Sequence, residues 1–506
     1  MSDIILSTLN AKYIHTAFGL RYLYANLGEL QANARLQEFT IANRPIDIAE
    51  KLLVHEPKII GFSVYIWNIT ETTALVALLK QVAPQVKIVL GGPEVSHETN
   101  DQLIIKMADY VITGAGEVSF KQLCEQILAG LAPLNNVLEG IAIPLDELKL
   151  PYDDYSQEDI ETRVVYVEAS RGCPFKCEFC LSSLDKTAKP FELGRFLDEM
   201  EKLYNRGLRH FKFIDRTFNL KVKTTIAILE FFLDHLDDEI FLHFELIPDH
   251  LPDVLKEVIQ RFPVGSLQFE IGIQTFDPPV QQLISRKQDN EKSKANLKWL
   301  REESNAHLHT DLIFGLPGED LDSFAESFTQ LVALNPHEIQ LGILKRLRGS
   351  PIIRHTEKYQ LVFNPLPPYN ILSTDRVDFK TMQQVNRFAR YWDMVGNSGK
   401  FSMTLPLLLG DEPFQNFWIF SQSLYARSQQ THKISLKRLF DFVYEIAIED
   451  VGLNQSFVKE SLKKDFDASL MKGVPEYLRD QVANASTLPK SRKMHTRNKR
   501  QVSHLR

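Results

Sequence analysis

The stretch Arg171-Gly172-Cys173-Pro174-Phe175-Lys176-Cys177-Glu178-Phe179-Cys180 decides how the rest of the chain is read. It sets three thiols within eight residues, directly after the β-rich run RVVYVEA at 163–169. Thiolates are soft ligands, and three on one tight loop can hold three corners of an iron–sulfur cube. The fourth iron then has no protein ligand and stays open to a small molecule. Two blander readings compete: a zinc site, or cysteines that merely pack. Zinc usually takes four ligands, often from two separated CxxC pairs. The one other cysteine, Cys124, falls far upstream in an amphipathic helical pattern. Four cysteines in 506 residues, three of them clustered, are the opposite of a disulfide framework and suit a metal site in a reducing compartment.

Working outward from this loop, further strand patterns recur at HFKFID (210–215), IFLHFEL (240–246), SLQFEIGI (266–273), HLHTDLIFG (307–315) and HEIQLGIL (337–344). Helical patterns such as 196–204 and 225–236 separate them. Six βα repeats predict a partial (βα)6, TIM-like barrel over 162–365, with its chemistry at the carboxyl ends of the strands. Upstream, IILSTL (4–9), RLQEFTI (35–41), KIIGFSVY (58–65), KIVLGG (87–92) and DYVITG (109–114) alternate with helical segments. Their Ile- and Val-rich runs lack clean alternation, which predicts strands covered on both faces and hence a parallel sheet. We therefore expect a doubly wound, Rossmann- or flavodoxin-like α/β domain over 1–135 and a Pro-containing linker over 136–161. Beyond the barrel, 366–489 reads as a mainly α-helical domain. Residues 490–506 form a tail with seven Lys or Arg and no acid, the composition of a solvated terminus.

The bulk properties fit this division. A chain of 506 residues is too long for one core, and 44% hydrophobic with 24% charged residues is ordinary for a globular protein. The net charge of −7 argues against broad attraction to nucleic acid or anionic membrane. No apolar run reaches membrane-spanning length, and MSDIILSTLN lacks a signal peptide's basic start, so a cytoplasmic location is expected.

CxxxCxxC after the first strand of a six-fold βα barrel resembles the radical S-adenosylmethionine (SAM) superfamily. The resemblance implies one 4Fe–4S cluster on Cys173, Cys177 and Cys180, with SAM chelating the open iron. An electron from an external donor such as flavodoxin or ferredoxin then cleaves SAM to a 5′-deoxyadenosyl radical that acts on a small-molecule substrate. Phe179 stands where this superfamily places an aromatic against the adenine; plain core packing is the alternative. Phe213-Ile-Asp215-Arg-Thr217-Phe-Asn219 ends the second strand, where the superfamily contacts the SAM amino or carboxylate group. The common Gly-Gly-Glu form is absent there, and Asp215 takes its place. Glu270 and Gln274 correspond to ribose contacts, or else are satisfied structural groups. Asp311-Leu-Ile-Phe-Gly315-Leu-Pro-Gly-Glu319 resembles the loop where backbone approaches the adenine. His243, His307 and His309 lie on barrel strands and either face substrate or are satisfied core histidines.

Three strand ends of the first domain are decorated: Gly61-Phe-Ser63-Val-Tyr65, Gly91-Gly92-Pro93-Glu94 and Gly114-Ala-Gly116-Glu117. Glycines there let a flat ligand lie against backbone. The arrangement resembles the cobalamin-binding domain that precedes many radical SAM barrels. Ser63, Gly91 and Gly92 match its contacts to the dimethylbenzimidazole tail, with Pro93, Gly114 and Glu117 beside them. The Asp-x-His-x-x-Gly motif is absent; Tyr13-Ile-His15-Thr-Ala-Phe-Gly19 has neither its Asp nor its spacing. The expectation is a displaced tail, no histidine on cobalt, and Asn10, Tyr13 or Asn68 under the corrin. The alternative is a domain that keeps the fold without the cofactor. The whole pattern resembles cobalamin-binding radical SAM proteins with a C-terminal helical domain of unknown function. That implies methyl transfer to an unactivated carbon. Radical chemistry without methylation is the first alternative, and a metal-stabilised nucleic-acid-binding or regulatory protein is the second.

Overall fold

The computed structural model describes residues 2–469, 471 and 473–479; the basic tail at 490–506 lies outside them. The chain divides into two compact units. Unit 1 holds Met1–Glu245 with Lys345–Arg354 and Phe363–Asn370, and unit 2 holds Leu246–Leu344, His355–Val362 and the chain from Ile371 onward.

The first sheet of unit 1 contains β1 (Ile4–Asn10), β2 (Ala34–Thr40), β3 (Ile59–Ser63), β4 (Lys87–Gly91), β5 (Tyr110–Thr113) and β6 (Val137–Glu139). Their order is β2-β1-β3-β4-β5-β6, every pair parallel. β1 and β3 are buried along their whole length, as strands covered on both faces must be. Successive side chains point to opposite faces. Ile5, Leu9, Ile60, Phe62, Ile88 and Leu90 pack with α2 (Pro45–Leu53), α3 (Ile69–Val82) and α4 (Leu103–Met107), while Ile4, Leu6, Ile59, Val89 and Ile112 pack with α1 (Phe18–Ala25) and α5 (Glu117–Leu128). The sheet is thus doubly wound, and the chain reverses direction between β1 and β3. β6 falls inside the segment expected as linker. Its three residues are too short to signal a strand by pattern, and pairing with β5 makes one of them.

Downstream in the same unit come α6 (Gln157–Thr162), β7 (Val165–Val167) and two two-residue strands, β8 (Ser170–Arg171) and β9 (Lys189–Pro190). α7 (Leu193–Asn205), β10 (His210–Phe213), α8 (Val222–Asp234) and β11 (Phe241–Leu246) follow, and β7, β10 and β11 are parallel. A buried charge network joins this part to the first sheet. Arg21 reaches Glu38 at 2.6 Å and Asp159 at 2.8 Å, and Arg163 reaches the same two carboxylates at 2.8 Å each.

Unit 2 contains α9 (Asp253–Gln260), β12 (Leu267–Gln274), α10 (Pro278–Leu283), α11 (Asn290–Glu303), β13 (His307–Phe314), α12 (Leu321–Ala333) and β14 (Glu338–Ile343). β12, β13 and β14 are parallel. The helices α13 (Phe379–Val395), α14 (Leu405–Leu409), α15 (Pro413–Ser428), α16 (Leu436–Glu449) and α17 (Gln455–Ala468) complete it. Phe328 of α12 meets Phe388, Trp392 and Phe414 of this helical part edge-on. The Asn397 amide bonds both the N–H and the carbonyl of Ile339, at 2.9 and 2.8 Å. The helices expected as a separate domain from 366 therefore pack on α12 and β14 within this unit. Among the described residues no helix is long and apolar enough to cross a membrane.

Candidate functional site

The loops leaving β3, β4 and β5 enclose a cavity of about 230 Å³. Ser63, Gly91, Gly92, Gly114 and Glu117 line it, with Gly61, Gly116 and Tyr65 beside them and apolar walls from Leu20, Leu23, Val89, Leu90 and Ile112. A Cβ at Gly91 would meet only the Ile112 carbonyl oxygen at 3.8 Å, and one at Gly114 would meet nothing within 4 Å. The floor is therefore bare backbone open to the cavity, a surface on which a flat ring can lie. The volume suits a bicyclic base rather than a whole corrinoid. These residues fit the nucleotide end of cobalamin. Pro93 follows the floor but does not line the cavity.

Asn10, Tyr13 and Asn68, expected under a corrin, each make hydrogen bonds within the protein, as does the nearby His15. Asn68 is fully buried and donates to Thr8 Oγ1 and to the Leu9 and Ser63 carbonyls at 3.1–3.2 Å. Asn10 donates to the His15 carbonyl and to Glu38. The exposed Tyr13 donates to Glu158 at 2.6 Å, and His15 pairs with the Tyr166 hydroxyl at 2.7 Å. None of the four lines the cavity. Tyr65 does; it stacks on the half-exposed Trp67 with ring centroids 4.3 Å apart.

The cysteine loop is closed at its base by the antiparallel β8–β9 pair, Ser170 opposite Pro190 and Arg171 opposite Lys189. Gly172 turns the chain at φ +89°, where a Cβ would stand 2.2 Å from the Thr187 carbonyl oxygen. The Cys173 N–H donates to the Asp185 carbonyl at 3.0 Å, and that of Cys180 to the Cys177 carbonyl at 3.1 Å. All four cysteines are free thiols; Cys177 and Cys124 are buried, Cys173 and Cys180 half-buried. Burial pushes the Cys173 thiol up, and the neighbouring Cys180 and Cys177 sulfurs add to it. Phe179 is half-buried between them. Among the described residues, no three Cys, His, Asp or Glu side chains converge on a point where one metal ion would sit. A cubane does not ask for that, because each thiolate binds a separate iron at its own corner. The soft donor set fits a cluster. Cys124, by contrast, is fully buried in α5, and burial pushes its thiol to about 12.

Arg171 joins the two places. It lines the cavity, its Nη1 lies 2.6 Å from Glu117 and its Nε 2.9 Å from Glu168, and its guanidinium covers the Tyr22 ring at 4.4 Å. Neither Arg171 nor Glu168 was legible as a site residue, because nothing in the local pattern pairs position 171 with position 117. Asp215 accepts from the Ala169 N–H at 2.9 Å and from Ser170 Oγ at 2.6 Å. Burial pushes its carboxyl up to about 7 against those two bonds. Asp215 also lines a small cleft with Ser170, Thr217 and Lys221.

In unit 2, Gln274 closes β12 with φ +69°, and Asp311 lies 3.7 Å from His309 Nε2 on β13. Glu270 is half-buried on β12. Gly315 has a packing reason to be glycine: a Cβ there would stand 2.6 Å from Ile371 Cγ2. Glu319, absent from the expected site, accepts from the Gly315 and Leu316 N–H groups at 2.8 and 3.2 Å, and burial holds its carboxyl well above the usual range. His307 pairs with Glu338 at 3.2 Å and stacks on His337. His243 is buried on β11.

Comparison with known proteins defines the class first. Residues 167–331 match the radical SAM superfamily, residues 5–124 the B12 binding domain, and residues 357–505 a family of unknown function, DUF4080. The chain is a cobalamin-binding-domain-containing radical SAM protein with a C-terminal domain of unknown function. Over 209 residues it is 30% identical to an uncharacterized methyltransferase from Pyrococcus horikoshii, covering 36% of this chain and 44% of that protein. Over 366 residues it is 24% identical to the cobalamin-dependent radical SAM methyltransferase TokK from Streptomyces tokunonensis, covering 64% and 53%. The chain thus spans about half the length of the curated relatives it matches. In fold it is similar to the radical SAM methyltransferase TsrM from Kitasatospora setae, with TM-score 0.57 and 16% identity over 73% of this chain and 80% of TsrM. The fold class is α/β, with an N-terminal doubly wound domain, a radical SAM βα region and a mainly helical C-terminal part.

Proposed function

We propose that this chain is a cobalamin-dependent radical SAM methyltransferase acting on an unactivated carbon of a small-molecule substrate. One 4Fe–4S cluster on Cys173, Cys177 and Cys180, SAM, and cobalamin at the glycine-floored cavity are its cofactors. The observation that carries the reading is the union of the cysteine loop and the glycine-floored cavity in one compact unit, with Arg171 reaching from the one to the other. The names of the relatives support it: TokK and a carbapenam-carboxylate methyltransferase match over 64% and 58% of the chain.

When bound, the cluster supplies the electron that cleaves SAM, and cobalamin supplies a transferable methyl group. The protein's own residues hold and orient. Bare backbone at Gly91 and Gly114 receives the nucleotide base, with Gly92, Ser63 and Glu117 at its edges. The β8–β9 pair and the Gly172 turn fix the spacing of the thiols. Buried Asp215 holds the end of β7 through Ala169 and Ser170, which sets the start of the cysteine loop. Phe179 is assigned to the adenine, and Glu270, Gln274, Asp311 and Gly315 to SAM, on the superfamily motifs; an external reductant such as flavodoxin or ferredoxin supplies the electron. The test is turnover of the anaerobically loaded chain with SAM labelled in its methyl group. Formation of 5′-deoxyadenosine and label in a small-molecule product support the reading. Deoxyadenosine without methylated product favours radical chemistry of another kind.

A further inference from the structure

Residues 345–354, Lys-Arg-Leu-Arg-Gly-Ser-Pro-Ile-Ile-Arg, follow β14 and belong to unit 1. They carry four cationic side chains and no acidic one. The first half is fixed to the loop leaving β4. Arg346 Nη2 donates to both Glu98 oxygens at 2.8 and 2.9 Å, and Arg348 donates to Glu98 at 3.0 Å and to Glu94 at 2.9 Å. Glu94 is 3% exposed and also accepts from the Tyr369 hydroxyl at 2.7 Å. The second half is fixed to the cysteine loop. The Ile352 N–H donates to the Glu178 carbonyl at 2.9 Å, and the Arg354 guanidinium donates to the Glu178 carboxylate. Glu178 is 2% exposed and sits in sequence between Cys177 and Cys180.

One segment thus grips, at one end, the loop that begins with the cavity floor Gly91–Gly92 and, at the other, the loop that carries the thiols. Each grip sets a guanidinium against a buried carboxylate, a strong and directional contact. Glu178 also matters electrically. A carboxylate beside two thiolates disfavours adding an electron to what they hold, and Arg354 offsets it.

We propose that residues 346–354 are a positioning strap through which occupancy of the N-terminal cavity by cobalamin changes the environment of the cluster. The inference rests on the proposed function, and its physical route is a contiguous chain of packed and hydrogen-bonded groups. Coupling of this kind is reciprocal, so reduction of the cluster alters cobalamin affinity by the factor that corresponds to the shift in potential.

The full-length chain is reconstituted anaerobically, and the EPR spectrum and midpoint potential of the reduced cluster are recorded with and without hydroxocobalamin. The strap predicts a cobalamin-dependent change in both for the wild type. Arg348→Gln and Arg354→Gln keep the cluster but lose that change, and Arg354→Lys recovers part of it. Cobalamin affinity falls about tenfold in Arg348→Gln, as for loss of a charged, partly buried hydrogen bond. As a measurement independent of any variant, amide exchange across 172–185 slows on cobalamin binding. A wild type that binds cluster and cobalamin yet shows one spectrum, one potential and unchanged exchange overturns the strap and leaves the functional reading standing. Variants that keep the full cobalamin-dependent change also overturn it. A wild type that binds no cobalamin, or no iron, overturns the functional reading and the strap with it.

Discussion

The strand ends of the first sheet and the cysteine loop lie in the same compact unit, yet they reach their geometry by different means. The cavity is set by regular structure: six parallel strands, two apolar layers and a turn after each strand. Its shape exists before any ligand arrives. The cysteine loop runs from 172 to 188 between strands of two residues each, and it is held by one tight glycine, a few backbone bonds and the contacts of Glu178 with Ile352 and Arg354. A cluster bound there contributes directly to its order, because metal–thiolate bonds replace the core it lacks. The difference teaches that the cavity is a preformed receptor, whereas the loop is a donor set completed by what it binds.

The sharpest way to break this comparison is to remove a thiol. Cys173→Ala is expected to lose essentially all cluster iron and all SAM cleavage while cobalamin still binds, read by iron assay and by absorbance titration with hydroxocobalamin. Loss of cobalamin binding altogether in this variant would mean that the cavity is not preformed. Filling the receptor should do the converse. Gly91→Leu lowers cobalamin affinity by about tenfold or more, as expected for overpacking, and leaves iron content unchanged.

A third test concerns the scaffold that both sites share. Arg21 is 2% exposed and bridges Glu38 and Asp159. Arg21→Met leaves buried carboxylates short of a partner and should cost about 3–5 kcal/mol in a denaturant titration. A fourth test is of pH dependence. Asp215 has its carboxyl raised to about 7 by burial, so the folded chain holds this proton more tightly than the unfolded one. Its contribution is full below the ordinary carboxylate range and is lost as pH rises through about 7. Relative to Asp215→Asn, the wild type should therefore lose stability across that interval, by about 4 kcal/mol at most. Parallel stability curves for the two proteins would show that Asp215 does not titrate there.

What could be read from sequence follows the same division. The strand–turn–helix rhythm of 1–128 carries its own signal, since apolar runs and glycines at strand ends are local. Cys173, Cys177 and Cys180 announce themselves by type and spacing. Long-range pairings are silent in the linear pattern. Arg171 with Glu117, Arg348 with Glu94, and Asn397 with the backbone of Ile339 join positions 54 to 254 residues apart. β6 was hidden because three residues cannot show periodicity. Asn68 and Asn10 tie loops together through their hydrogen bonds, and a polar residue at a strand end carries the same local signature whether or not it also faces a ligand. Gly315 has a second demand on it that the motif does not show, since a Cβ there would meet Ile371.

The most direct test of the cysteine loop is anaerobic reconstitution of the whole chain with iron and sulfide, followed by reduction and titration with SAM under EPR. The account predicts about four irons per chain and a reduced-cluster spectrum that changes when SAM binds the open iron. Zinc retained at the thiols, or a cluster whose spectrum is indifferent to SAM, would contradict it.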